Sequence, residues 1–345
     1  MSAWPKLSQF LAANRHAATL SVYLEAAPAD PAEGRAVALR LRDSIEQLRR
    51  RAAELPQPER EAIETCLAEL IEAIPSAEHR SRRQGWAFFR TAAGAQLVID
   101  TPPTVETSAA WDVGPRVIPF LRAAEPESAL LVQIDRARAR LGLLHDGVVD
   151  AIVELEADRA SDVDTHGRAS ADEVQRQRRE ASERLLATAV RRVTTLAEDA
   201  LPVVVGGAVE TVKRFVLALP RPLAERTEIV STLRMGSADA AIPEIIATLQ
   251  GMRRREQAAH IAELRDAAAA HGRAALGFER AQRAAAVGAI AELIFTDTAW
   301  RAHPAEIEAL VHRALSSGAS VEWTAVEDPE HTPHDGVVAG LRFSV

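Results

Sequence analysis

Cysteine is nearly missing: Cys66 is the single one in 345 residues, which excludes an internal disulfide and any multi-cysteine zinc site. Its setting, Ile63-Glu-Thr-Cys-Leu67, is amphipathic and helical, so it reads as a small buried hydrophobe and not as a nucleophile. Aromatic residues make up only 4%, and Ala, Leu, Val and Arg dominate in the manner of a GC-rich bacterial genome. No run approaches the ~18 apolar residues of a membrane span. The start, Met1-Ser-Ala-Trp-Pro-Lys, also lacks a signal-peptide core. The expectation is a soluble, cytoplasmic protein with no membrane partner. An excess of positive charge is missing too. With 41 Lys and Arg against 49 Asp and Glu the net charge is −8, so the molecule as a whole does not advertise nucleic-acid binding. The ten histidines are scattered, and the closest pair, His331-Thr-Pro-His334, has no helical i, i+4 spacing. No metal site and no cofactor are expected.

What is present is organised around Ser128 to Glu198. Ser128-Ala-Leu-Leu-Val-Gln-Ile-Asp135 is rich in β-formers and returns, after Arg136-Ala-Arg138, as Ala139-Arg-Leu-Gly-Leu-Leu-His145, a strand hairpin. A third strand covers Val148 to Leu155, and a polar loop over 158–169 follows. A long helix comes next, with apolar residues at Leu185, Leu186, Ala189, Val190, Val193 and Leu196. Ser170-Ala-Asp-Glu173 is a capping box, which predicts that this helix starts at Ser170 with Asp172 and Glu173 at its positive end. The helix is arginine-rich: Arg176, Arg178, Arg179, Arg191 and Arg192 are candidates for phosphate contacts. Other basic clusters are Arg49-Arg-Arg51, His79-Arg-Ser-Arg-Arg83 and Arg253-Arg-Arg255; solvated helix faces are the competing reading of them all.

The length suggests two or three domains. A short helix over Leu7 to Ala13 precedes the strand Ala18 to Leu24. A helical hairpin between Arg35 and Ile74 turns at Pro56-Gln-Pro58. Strands Gly85 to Arg90 and Ala95 to Asp100 form a second hairpin, and the proline-rich stretch from Thr101 to Pro126 reads as a linker. Leu201-Pro-Val-Val-Val-Gly-Gly207 before a helix reads as a tight turn more than a phosphate cradle, since it lacks P-loop Lys and Ser/Thr. A long helix over Ile242 to Ala270 leads to alternating helices and strands, a three-layer unit. The predicted fold is α/β and α+β in three domains, 1–123, 124–239 and 240–345. It has mixed sheets with helices, a helical hairpin in the first domain and a long helix into a C-terminal three-layer α/β domain.

Strand, strand, a loop carrying His166-Gly167-Arg168 and an arginine-rich helix resemble the middle domain of the archaeal and eukaryotic class-one peptide release factors and of Pelota-like rescue factors. Gly272, Gly277, Ala285, Gly288-Ala289 and Leu293, then Ser317-Gly318 and Gly336-Val-Val-Ala-Gly-Leu-Arg-Phe343, look like that family's C-terminal pattern. The order of these matches covers nearly the full length. The departures are equally definite. Ala169-Ser170-Ala171 stands where the release factors have Gly-Gly-Gln, and the hairpin turn is Leu55-Pro-Gln-Pro58 in place of Asn-Ile-Lys-Ser. The Tyr-x-Cys-x-x-x-Phe of stop-codon reading is absent, the only tyrosine being Tyr23.

The resemblance implies a ribosome- or tRNA-binding translation factor, with His166, Gly167, Arg168 and Ser170 at a loop tip and no catalysis of the release-factor type. It also implies a C-terminal part that binds RNA or a protein partner. Two alternatives follow from the residues themselves. Asp135, Asp146 and Asp150, near strand ends, are weak candidates to gather a divalent metal for RNA cleavage. The acidic total charge, finally, suits a protein-interaction scaffold with no RNA.

Overall fold

In the computed structural model, described over residues 3–26, 31–74, 84–123, 128–145, 147–158, 171–197, 201–236, 238–270, 272–325 and 335–345, the apolar runs of the sequence become three sheets with helices packed on them. The chain divides into two compact units, Met1–Glu125 with Arg254–Val345, and Pro126–Arg253.

The first unit opens with α1 (Trp4–Asn14), β1 (Ala18–Leu24), the helical hairpin α2 (Pro31–Ala52) and α3 (Gln57–Ala73), and then β2 (Gly85–Thr91), β3 (Gln96–Thr101), β4 (Ser108–Val113) and α4 (Ile118–Arg122). The sheet order is β3-β2-β1-β4, all antiparallel. Side chains alternate across β1, and both faces are covered. Leu20, Val22 and Leu24 meet the hairpin's Val37, Leu41, Ile63, Leu67 and Leu70, and Cys66 is buried there as a hydrophobe whose thiol burial pushes up. Tyr23, Ala87 and Phe89 meet α1 from the opposite face. The proline-rich stretch is not merely a linker, because β4 lies within it and pairs with β1 along its length.

The second unit contains β5 (Ala129–Ile134), β6 (Arg138–His145), β7 (Val148–Glu156), α5 (Ala171–Leu196), β8 (Val203–Gly207), α6 (Val209–Ala218), α7 (Arg221–Glu225), β9 (Thr227–Ile229) and the start of α8 (Ala238–Ala269). Its sheet runs β7-β6-β5-β8-β9, antiparallel through the predicted hairpins and parallel from β5 to β9. The β5 and β8 strands are near-continuous apolar runs because both faces are buried. Leu130, Val132, Val203 and Val205 pack on α5 and α6, while Leu131, Val204 and Leu233 pack on Ala241, Ile245 and Leu249 of α8. The free edge of β7 is blunted by an irregularity opposite Leu141 and Gly142 and by exposed Asp150, Glu154 and Glu156.

The chain then returns to the first unit through β10 (Ala274–Leu276), α9 (Phe278–Ala286), β11 (Ile290–Thr296), α10 (Asp297–Ala302), α11 (Pro304–Ser316), β12 (Ser320–Thr324) and β13 (Val337–Leu341). The order β10-β13-β11-β12 is covered on one face by α9 and α11 and on the other by Ile261 and Leu264 of α8, giving the expected three layers. Residues of α11 reach the early part of the chain. The buried Glu308 carboxylate accepts from the Val117 amide at 2.5 Å, and His312 Nε2 lies 2.8 Å from the Pro115 carbonyl oxygen. Gly114, at φ +86°, lies close to the His312 ring, where a Cβ would come within 2.6 Å of Cε1. Tyr23 donates to the Arg116 carbonyl at 2.6 Å, and burial, with the Glu308 charge adding to it, holds its phenol well above the ordinary range.

On α8, His260 Nε2 is 2.7 Å from Glu292 of β11, and Gly340 of β13 leaves the space in which that carboxylate lies. The hydrogen bond to Glu292 raises the imidazole pKa above its ordinary value, outweighing partial desolvation. The folded value therefore exceeds the unfolded one of about 6.5, so this stabilisation is complete below pH ~6.5 and is lost as pH rises through the raised folded value. The thermal midpoint of wild type should exceed that of H260Q most near pH 5.5 and least near pH 8.5; a gap widening with pH contradicts this. A second expectation concerns α5. Leu185 is buried, so L185A should lower the stability of the second unit by about 2–5 kcal/mol in urea titrations. R178A, on the same side of α5 but exposed, should change it by less than about 0.5 kcal/mol.

Candidate nucleic-acid interface

The apolar stripe of α5 begins late. Ala181, Leu185, Ala189 and Val193 are buried, whereas residues 172–180 include none that is buried. At 1.5 Å rise per residue the helix projects roughly 15 Å beyond its own packing. Apart from the half-buried Val174 the segment is polar and exposed, so its polar side chains are available to a partner. The helix starts at Ala171, in register with the capping box read from the sequence, and Asp172 and Glu173 occupy its first turn.

The loop that leads into it, with His166, Gly167, Arg168 and Ser170, lies outside the described residues, as do Asp146, the 79–83 basic cluster and the 331–334 histidine pair. Asp158, at the near end of that loop, is within 3.7 Å of Arg184 of α5. Arg176, Arg178 and Arg179 are all exposed, and none has an ion-pair or hydrogen-bond partner among the described residues. Arg192 is exposed and equally unpaired among them, while Arg191 donates to Thr188 at 3.1 Å.

The three arginines at the head of the helix are neighbours in sequence but not in space. At about 100° per residue, Arg178 lies roughly 160° around the helix from Arg176. Counting in steps of three and four, Arg178 continues the line of Ala181 and Leu185, whereas Arg176 shares its side with Asp172, Glu173 and Glu180. Arg179 lies between the two sides, next to Glu183, which is itself paired with Arg214 at 3.5 Å. This asymmetry was legible from periodicity; a compact Arg-Gln-Arg-Arg run conceals it.

Of the candidate acids, Asp135 and Asp150 are not brought together. Asp135 accepts from the Ala137 and Arg138 amides at 2.7 and 2.8 Å, so it closes the β5–β6 turn. Asp150 is exposed on β7 opposite Leu143, roughly 17 Å along the sheet from that turn at ~3.3 Å per residue. Ions of the expected kind are held at 2.0–2.6 Å by ligands converging on one point, which this pair does not do. Among the described residues no group of three or more His, Cys, Asp or Glu is placed to hold a metal. The Gly206-Gly207 turn is explained by packing: a Cβ on Gly206 would collide with the Leu233 carbonyl and one on Gly207, at φ +138°, with that of Ile134. None of the helices among the described residues is long and apolar enough to cross a membrane.

Residues 115–254 match the family model described as Bacterial archaeo-eukaryotic release factor family 10. Among solved structures the chain is similar to Archaeoglobus fulgidus Pelota, at 17% identity over 76% of this chain and 80% of that chain with a TM-score of 0.44. It is also similar to S. cerevisiae Dom34, a translation termination-like factor, at 11% identity over 76% of this chain and 81% of that chain with a TM-score of 0.45. The archaeal translation termination factor aRF1 aligns at 18% identity over 98% of this chain and 97% of that chain, with a TM-score of 0.26. No curated protein matches the sequence. The likeness to the bacterial archaeo-eukaryotic release factor family thus lies in the middle of this chain, over residues 115–254.

Proposed function

We propose that the protein is a cytoplasmic translation factor that binds the ribosome or tRNA, of the release-factor and Pelota kind but without Gly-Gly-Gln peptide release or stop-codon reading. The observation that carries this is the head of α5, roughly three turns of arginine-bearing helix held clear of the core in the segment that matches the release-factor family. Support for the negative part comes from Ala169-Ser170-Ala171, which replaces the tripeptide, and from the helix that begins at Ala171, so that Gln175 and Gln177 lie within helical turns and not at a loop tip. The parts 1–123, 124–239 and 240–345 then take the roles that the resemblance implies. The first lies near the decoding site, the middle one at the acceptor end, and the last docks RNA or a protein.

Purified protein should sediment with 70S ribosomes at low salt and be released as salt rises, because phosphate contacts weaken with ionic strength. Charge reversal at the head of α5, R176E, R178E and R179E together, should reduce co-sedimentation at least tenfold and leave the circular dichroism unchanged. Unaltered co-sedimentation of that variant, or rapid peptidyl-tRNA hydrolysis by wild type, would overturn the reading.

A further inference from the structure

Neighbours three and four residues away decide what a helical arginine can offer a partner, since those are the side chains it touches on the helix surface. For Arg178 they are Val174, Gln175, Ala181 and Ser182, and none is acidic. For Arg176 they are Asp172, Glu173, Arg179 and Glu180, so three of the four are carboxylates. Arg179 adjoins one carboxylate, Glu183, and that group is already held by Arg214 at 3.5 Å. Gln175 sits one turn before both Arg178 and Arg179 and is exposed. An arc of roughly 100° from Arg178 through Gln175 to Arg179 therefore presents two guanidinium groups and an amide, with no free carboxylate inside it among the described residues and Arg179 at its border toward Arg176. The opposite side is charge-balanced.

We infer that the head of α5 meets an RNA phosphate backbone on the Arg178 side, through Arg178, Arg179 and Gln175, and that Arg176 faces away from it. The inference rests on the RNA-binding reading above and assigns the occupant by charge complementarity. Guanidinium forks suit phosphate oxygens, and the Gln175 amide supplies a further donor. The carboxylates around Arg176 would repel a phosphate there. The acidic balance of the whole chain, −8, makes a local carboxylate-free patch the necessary condition for such contact.

The test compares wild type, R176Q, R178Q and R178Q/R179Q for binding to purified 70S ribosomes and, separately, to poly(U) RNA over a salt series. Each lost phosphate contact lowers the slope of log affinity against log salt by about 0.7–0.9. R178Q should lower it by about one such step on both probes and the double variant by about two, with R176Q lowering it by less than R178Q. The inference is overturned if R176Q matches or exceeds R178Q, or if wild type shows no salt-sensitive binding to poly(U). It is overturned as well if R178Q weakens ribosome binding while poly(U) binding is unchanged, a result that assigns the patch to a basic-patch-seeking acidic protein surface. If wild type ignores ribosomes but the predicted order holds on poly(U), the inference stands and the ribosomal reading fails.

Discussion

A helix can only be held by the part of it that is buried, and in α5 that part starts at Ala181. Everything before it is kept helical by backbone hydrogen bonds and by the favourable charges of Asp172 and Glu173 at the amino end, not by packing. The overhang is therefore a consequence of where the apolar stripe stops. A run such as Gln-Arg-Gln-Arg-Arg, residues 175–179, is compatible with a helix but not with a core, and its position before Ala181, the first buried residue of α5, puts it at the end of a lever.

The lever is firm because its base is packed on both sides of the sheet. Leu185, Ala189 and Val193 lie against Leu130, Val132 and Val205, and the reverse face of the same strands is closed by Ile245 and Leu249 of α8. Gly206 and Gly207 let β8 run so close to Leu233 and Ile134 that no side chain fits between them. The first unit has its own fixed points. Glu308 and His312, on consecutive turns of α11, hold the Pro115–Val117 backbone, and Arg122 pairs with Asp297 at 2.7 Å while lying over the Trp300 ring.

Much of this was visible in the sequence. The strands at residues 18–24, 85–91 and 129–156, the helical hairpin and the alternating C-terminal elements follow directly from apolar periodicity and turn residues. What was hidden has physical reasons. Ser108-Ala-Ala-Trp-Asp-Val113 has little β-propensity of its own and becomes β4 by pairing with β1, a tertiary effect. β10 is three residues long, too short to show a period. The ties from α11 to the Pro115–Val117 backbone join residues about 190 positions apart, a separation no local pattern records. At the candidate interface the residue types were legible, as was the helix start after Ser170, but naming the arginines as phosphate contacts left open which side each takes, and the helix sends Arg176 and Arg178 to opposite sides.

The most direct measurement is photo-cross-linking from single positions at the helix head in the ribosome-bound protein. A photoreactive side chain placed at 178 should form adducts with RNA, and one placed at 176 should form few or none. Adducts from 176 alone, or adducts from 178 that contain only protein, would contradict the account.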